Sequence, residues 1–255
     1  LSQDRAALVA RLEAGGFVAA DEEADELLVC ANGDGERLEA LLARRFTGEP
    51  LAWITGSVTF CGVDVRVDHG VYVPRWQSEQ LALRAAERLP EDGTAIDLCT
   101  GTGAIAAVLH ARRSKARIVA TELDEHAVAC ARGNGIEVFE GDLLDPLPAS
   151  FEGQVDTIVG VVPYVPTPEL GLLQRDTFTF ETALSYDGGD DGTTFLRRVI
   201  ADAPRFLRPG GALLLELGAG QPARLHDDLT RQGFTDVTTL VDEDGDIRGI
   251  EATAR

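Results

Sequence analysis

Nowhere does the chain hold a run approaching the roughly 18 apolar residues that cross a bilayer as a helix, so no helical membrane span is expected. Residues 1–23 mix charged and apolar side chains and contain no signal-peptide core, which points to the cytoplasm. Cysteine and histidine are scarce, four of each, and Cys30, Cys61, Cys99 and Cys130 lie scattered with no CxxC. A zinc site is not expected on that spacing; the cysteines read as free thiols of a reducing compartment. Positive charge is short too. Lys and Arg number 23 against 43 Asp and Glu, a net charge of −20. Tight attachment to a phosphate backbone needs a basic footprint, so direct nucleic-acid binding is not expected. The one local concentration, Arg112, Arg113, Lys115 and Arg117, reads as a solvated helix end and loop. No internal repeat and no low-complexity segment interrupts the 255 residues.

What is present is ordinary globular composition, 44% apolar and 26% charged, with a clear order along the chain. Over residues 1–47, Leu8 and Leu12, then Ala24, Leu27 and Leu28, then Leu38, Leu41 and Leu42 recur at helical spacing. Gly15-Gly16 and Asn32-Gly33-Asp34-Gly35 divide them into about three short helices, a small helical domain. Over residues 48–73, Trp53 to Gly56 and Val58 to Phe60 are β-prone, and Val63, Val65 and Val67 alternate before a turn at Asp68-His69-Gly70. That stretch is expected to be a β-hairpin linker.

From residue 74 to 255 strand and helix patterns alternate. Strands are expected at Ala95–Cys99, Arg117–Glu122, Glu137–Glu140, Asp156–Val161 and Ala212–Glu216, and then at Asp236–Val241 and Ile247–Ala254. Helices are expected around Ser78–Leu89, Ala104–Arg112, Glu125–Arg132, Thr193–Phe206 and Pro222–Gln232. Such alternation implies an α/β fold with a mostly parallel sheet covered on both faces. The last two strands have no helix between them and should form an antiparallel hairpin at the sheet edge.

The sharpest local signal runs from Asp97 to Ala106, a buried strand, the turn Cys99-Thr100-Gly101-Thr102-Gly103 and a helix start. Gly101 and Gly103 let the backbone turn tightly and approach a ligand with no Cβ in the way. Glu122 ends the next strand about 20 residues beyond the glycines, placed to accept both hydroxyls of a ribose. Asp142, in Gly141-Asp142-Leu143, follows the strand after that and suits an adenine amino group. The glycines alone also fit a dinucleotide fingerprint, or a tight turn with no ligand. Asp97 ahead of them suits a positive amino group better than a pyrophosphate. The long segment before this strand and the terminal hairpin also argue against a nicotinamide enzyme.

These segments, in order, resemble the release-factor glutamine N5-methyltransferase family. The likeness runs from Gly48 to the C-terminus through Gly48–Gly56, Val73-Pro74-Arg75, Asp97–Ala106, Gly141–Leu147, Gly188–Gly192 and Arg208–Gly211. It implies a seven-stranded, Rossmann-like sheet that binds S-adenosylmethionine (SAM), with a small helical N-terminal domain. Asp97, Thr100, Gly101 and Gly103 would hold the methionine end, Glu122 and Leu123 the ribose, and Asp142 and Leu143 the adenine. The acceptor would be a glutamine amide of a protein such as a release factor.

The acceptor half departs from the family. Its Asn-Pro-Pro-Tyr loop reads Val161-Val162-Pro163-Tyr164 here. In the family the asparagine carbonyl and a neighbouring backbone carbonyl accept bonds from the substrate's amide NH2. Valine has no acceptor, and one lost contact to a buried N–H costs about 1–3 kcal/mol, or roughly ten- to a hundredfold in rate. Pro163 and Tyr164 would wall the acceptor pocket and Val162 would offer its backbone carbonyl. Pro-Arg-Pro-Glu-Thr-Glu reads Pro74-Arg75-Trp76-Gln77-Ser78-Glu79, and Glu-Pro reads Glu181-Thr182. Trp76 reads equally as a ligand contact or a filler of the domain junction, and Glu181 as a substrate contact or a solvated charge. Three readings stay open: a protein amide methyltransferase, a small-molecule N- or O-methyltransferase, and a non-catalytic SAM-binding protein.

Overall fold

The computed structural model describes residues 2–173 and 180–255. The chain divides into two compact units, Leu1–Ser57 and Val58–Arg255.

In the first unit the helical spacing is realised as α1 (Ser2–Ala14), α2 (Ala20–Ala31) and α3 (Gly35–Arg45). Leu8, Leu12, Ala24, Leu27, Leu41 and Leu42 meet in one buried cluster. Asp34 starts α3 by accepting the Glu36 and Arg37 amides, satisfying two donors that the helix itself leaves open. Trp53 to Gly56 is a correction. These β-prone residues form a single helical turn, α4 (Leu51–Thr55), with Ala52, Trp53 and Ile54 buried. Pro50 stands at its start, and Gly56 closes it in the left-handed region with its amide on Ala52 O at 2.8 Å. Proline and glycine punctuation outweighs the strand propensity of Trp, Ile and Thr.

A short hairpin follows, β1 (Ser57–Phe60) with β2 (Val63–Arg66), turning through Cys61 and Gly62. Both turn residues have positive φ, 49° and 77°, the requirement of the turn type that matches strand twist.

The second unit is built on a seven-stranded sheet. Its strands are β3 (Thr94–Leu98), β4 (Arg117–Glu122), β5 (Glu137–Glu140), β6 (Val155–Gly160), β7 (Leu207–Glu216), β8 (Phe234–Val241) and β9 (Ile247–Ala254). The order is β5-β4-β3-β6-β7-β9-β8, parallel from β5 through β7 and antiparallel at β9 and β8. The closing hairpin at the edge is as expected. Among the described residues, five α-helices flank the sheet: α5 (Glu79–Arg88), α6 (Ala104–Arg112), α7 (Glu125–Gly133), α8 (Thr194–Phe206) and α9 (Gln221–Arg231).

Alternation along each strand divides its side chains between two cores. Ile96, Leu98 and Val119 join Leu196, Val199, Ile200, Phe206, Leu225 and Leu229 on one face. Ala95, Ile118 and Ala120 join Leu81, Ala85, Val108 and Leu109 on the other. The chain runs outward from β3 to β4 and β5 and then returns to β6 on the other side of β3. This reversal opens a crevice at the carboxyl ends of β3 and β6, the place where such sheets bind ligands.

Candidate active site

The loop after β3 carries three successive left-handed residues, Cys99, Gly101 and Gly103, with φ of 52°, 57° and 84°. A Cβ on Gly101 would meet nothing within 4 Å, because it would project into the open crevice. A Cβ on Gly103 would lie 2.7 Å from Ile136 Cγ1, so this glycine serves close packing. The two glycines of the motif therefore answer to different constraints, one to the crevice and one to the core.

Asp97, near the end of β3, is almost fully buried. Its Oδ2 accepts the Thr100 hydroxyl at 2.5 Å and the Ala106 amide at 3.1 Å. Burial raises its pKa to about 7 against those two bonds, with Glu122 adding repulsion. Glu122 ends β4 and is fastened to the glycine loop. Its Oε2 accepts the Gly101 amide at 2.9 Å, while Oε1 accepts the Leu123 and Asp124 amides at 2.8 and 3.0 Å. Beyond β5, Gly141 donates to Glu122 O at 2.8 Å and brings Asp142 and Leu143 to the same crevice. Gly141 has φ of 151°, and a Cβ there would strike Pro146 at 2.9 Å.

One cavity gathers the residues expected to hold the cofactor: Asp97, Thr100, Gly101, Glu122, Leu123, Asp142 and Leu143 all line it. Gly103 stands behind that wall. Val161 and Pro163 line the same cavity, whereas Val162 and Tyr164 are not part of its wall. Val162 is buried in the core beneath β6. Tyr164, expected as a pocket wall, is turned aside. Its hydroxyl donates to Glu216 Oε1 at 2.9 Å, and its carbonyl accepts Gln221 Nε2 at 2.8 Å. Burial pushes the Glu216 carboxyl up, so that bond satisfies an otherwise costly group.

Two further expectations change. Glu181 is neither a solvated charge nor on the cavity wall. It is buried and accepts the Val73 amide at 3.0 Å together with the Arg75 guanidinium and the Tyr186 hydroxyl. Trp76 is 65% exposed, with the Arg248 guanidinium 5.6 Å from its ring centroid. Sequence reasoning missed Tyr72, Ile105 and Phe195 as lining residues. The helical pattern of residues 194–206 was plain, but nothing in it marked Phe195 as facing a cavity.

The doubly wound sheet with its antiparallel terminal hairpin agrees with the comparisons with known proteins, which make this chain a methyltransferase. Residues 77–164 match the family model "Methyltransferase small domain". The release factor glutamine methyltransferase of Geobacter sulfurreducens is 36% identical over 211 residues, covering 80% of this chain and 73% of that protein. Its counterpart in Mycolicibacterium smegmatis is 36% identical over 222 residues, covering 84% and 78%. The chain belongs to the release factor glutamine methyltransferase family. Among solved structures, a methyltransferase from Pyrococcus furiosus superposes with a TM-score of 0.57 at 19% identity, over 84% of this chain and 98% of that one. A ribosomal protein L11 methylase from Lactobacillus delbrueckii does so at 0.52 and 20% identity, over 74% and 83%. Both likenesses speak to the fold alone.

Proposed function

We propose that this protein transfers the methyl group of SAM to the side-chain amide nitrogen of a glutamine in a polypeptide acceptor of the release-factor kind. The observation that carries the reading is the identity to release factor glutamine methyltransferases over four-fifths of the chain, supported by one cavity lined by Asp97, Gly101, Glu122 and Asp142.

The residues of the crevice fit SAM. Asp97 is a buried carboxylate with no cationic partner among its described contacts, suited to the ammonium of a methionyl end. The space beside Gly101 admits a ligand where any side chain would intrude. Glu122 is oriented by three backbone amides, two on Oε1 and one on Oε2, which leaves Oε2 an acceptor site suited to a ribose hydroxyl. Asp142 is an acceptor for the adenine amino group. When bound, SAM supplies an electrophilic methyl group, and a neutral amide nitrogen needs little acid–base help to attack it. The work left to this chain is positioning.

Val161 sets the limit on that positioning. It lines the cavity where the family's asparagine would accept an amide N–H, and it leaves one such bond unmade. The expected consequence is turnover roughly ten- to a hundredfold below that of Val161→Asn on an amide acceptor. Val162 belongs to the core, so the single substitution is the cleaner test. A second reading, a small-molecule acceptor, is favoured by the same apolar side chain on the wall.

The deciding experiment is mass spectrometry of unmethylated release factor incubated with the protein and SAM. One added methyl on a glutamine supports the proposal. SAM binding without that methyl, in the native chain and in Val161→Asn alike, refutes it and turns the search to small acceptors.

A further inference from the structure

Helix α8 makes two contributions beside the adenine end of the crevice. Phe195, in its first turn, lines the cavity wall. Arg198, on the same helix face three residues later, reaches across to the loop after β5. Its Nη2 donates to Asp142 Oδ2 at 2.7 Å, and the guanidinium carbon lies 5.8 Å from the Phe195 ring centroid. The Asp142 backbone is already fixed, because Asp145 N donates to its carbonyl at 3.0 Å and Gly141 is tied to Glu122. The freedom that remains is in the Asp142 side chain, and Arg198 removes it.

We propose that Arg198 is a positioning residue that makes the site selective for a purine bearing an amino group at C6. Pinning Oδ2 leaves Oδ1 as the oxygen available to the ligand, and a carboxylate oxygen accepts hydrogen bonds without donating any. An amino group donates to such an oxygen. A 6-oxo purine presents a second acceptor there, and neither group has a hydrogen to give. A site built around one hydrogen bond rejects the mismatched analogue, because that analogue covers a polar group and leaves it unpaired. This inference rests on the assignment of the cavity to SAM. Both side chains are about two-fifths exposed, so an ion pair with no bearing on the ligand would be screened and leave selectivity untouched.

The test is the dissociation constant of S-adenosylhomocysteine and of S-inosylhomocysteine, measured by calorimetry on the native chain, Arg198→Met and Arg198→Lys. The native chain should prefer the adenine ligand by about tenfold or more. Arg198→Met should lose about tenfold for the adenine ligand while the inosine ligand changes little, and Arg198→Lys should recover part of the preference. Equal weakening of both ligands, or no change in either, overturns the proposal. Failure of the native chain to bind S-adenosylhomocysteine would instead overturn the assignment of the cofactor, a result distinct from an unchanged ratio.

Discussion

Lowering the pH from about 8 to about 6 should weaken nucleoside binding about tenfold, and the loss should pass through Asp97. Burial holds this carboxyl near a pKa of about 7, against an ordinary value of 3.8. A ligand ammonium needs the ionised form and, once seated, holds it ionised. The pKa of Asp97 is therefore high in the free protein and low in the complex, and binding below neutral pH must expel a proton. The apparent dissociation constant rises by a factor of one plus ten to the power of the pKa minus the pH. That factor is about 1.1 at pH 8 and about 11 at pH 6. Binding is thus full strength above the free pKa and fades as the pH falls through it.

Calorimetry with S-adenosylhomocysteine, which keeps the ammonium but has no methyl to transfer, reads this directly. Repeating the titration in two buffers of different ionisation heat counts the proton released. Asp97→Asn supplies the control. Its amide oxygen can still accept from Thr100 and Ala106, so the loop should hold, while affinity drops and the pH dependence flattens. A dissociation constant unchanged between the two pH values, or the same slope in Asp97→Asn, would refute the assignment of this carboxylate to the ligand cation.

Two glycines of one loop should fail in opposite ways. Gly103→Ala strains a residue at φ of 84° and drives its Cβ against Ile136, so urea denaturation should show a loss of about 2–3 kcal/mol. Gly101→Ala meets open space, so it should cost about 1–2 kcal/mol of stability yet abolish measurable ligand binding. Equal effects on stability and binding in the two variants would contradict the division of labour. Tyr164→Phe removes the hydroxyl donor from buried Glu216 and should destabilise by about 1–3 kcal/mol at neutral pH. Because burial raises the Glu216 pKa in the folded state, that penalty is present while the carboxyl is ionised. It should shrink as the pH falls through the raised value, and denaturation at two pH values tests the sign.

The parts of the fold that were legible in advance are those fixed by short-range pattern. Strand β4 (Arg117–Glu122), helix α6 (Ala104–Arg112) and strand β9 (Ile247–Ala254) fall at the expected bounds, because two-residue and helical periods switch sharply at turn residues. Strand β7 begins at Leu207, earlier than expected, since Pro209 and Gly210 masked its first residues as a turn. Helix α4 went unread for the converse reason. Its side chains favour a strand, and the turn is imposed by the two residues outside it.

The residues expected to hold the cofactor line one cavity because they lie at three strand ends and in the loops that leave them, each continuous in sequence. Glycine spacing, a carboxylate at the end of β4 and a Gly-Asp after β5 are local signals of a local geometry. The acceptor half has no such signature. Glu181 holds Arg75 from 106 residues away, and Tyr164 meets Glu216 across 52. Each of these side chains has an unremarkable neighbourhood in sequence, and its role comes from a partner on another segment. The change from asparagine to Val161 falls in this distributed half. Val161 shares the cavity wall with Asp97, Gly101, Glu122 and Asp142, so on the proposed reading its change touches the acceptor side while the groups suited to the donor stay in place. Asp97 and Glu122 bond chiefly to backbone amides of the loops beside them, whereas Tyr164, after Val161 in the chain, is held by Glu216 and Gln221. Val161 can therefore change without disturbing the bonds that hold the glycine loop to Asp97 and Glu122.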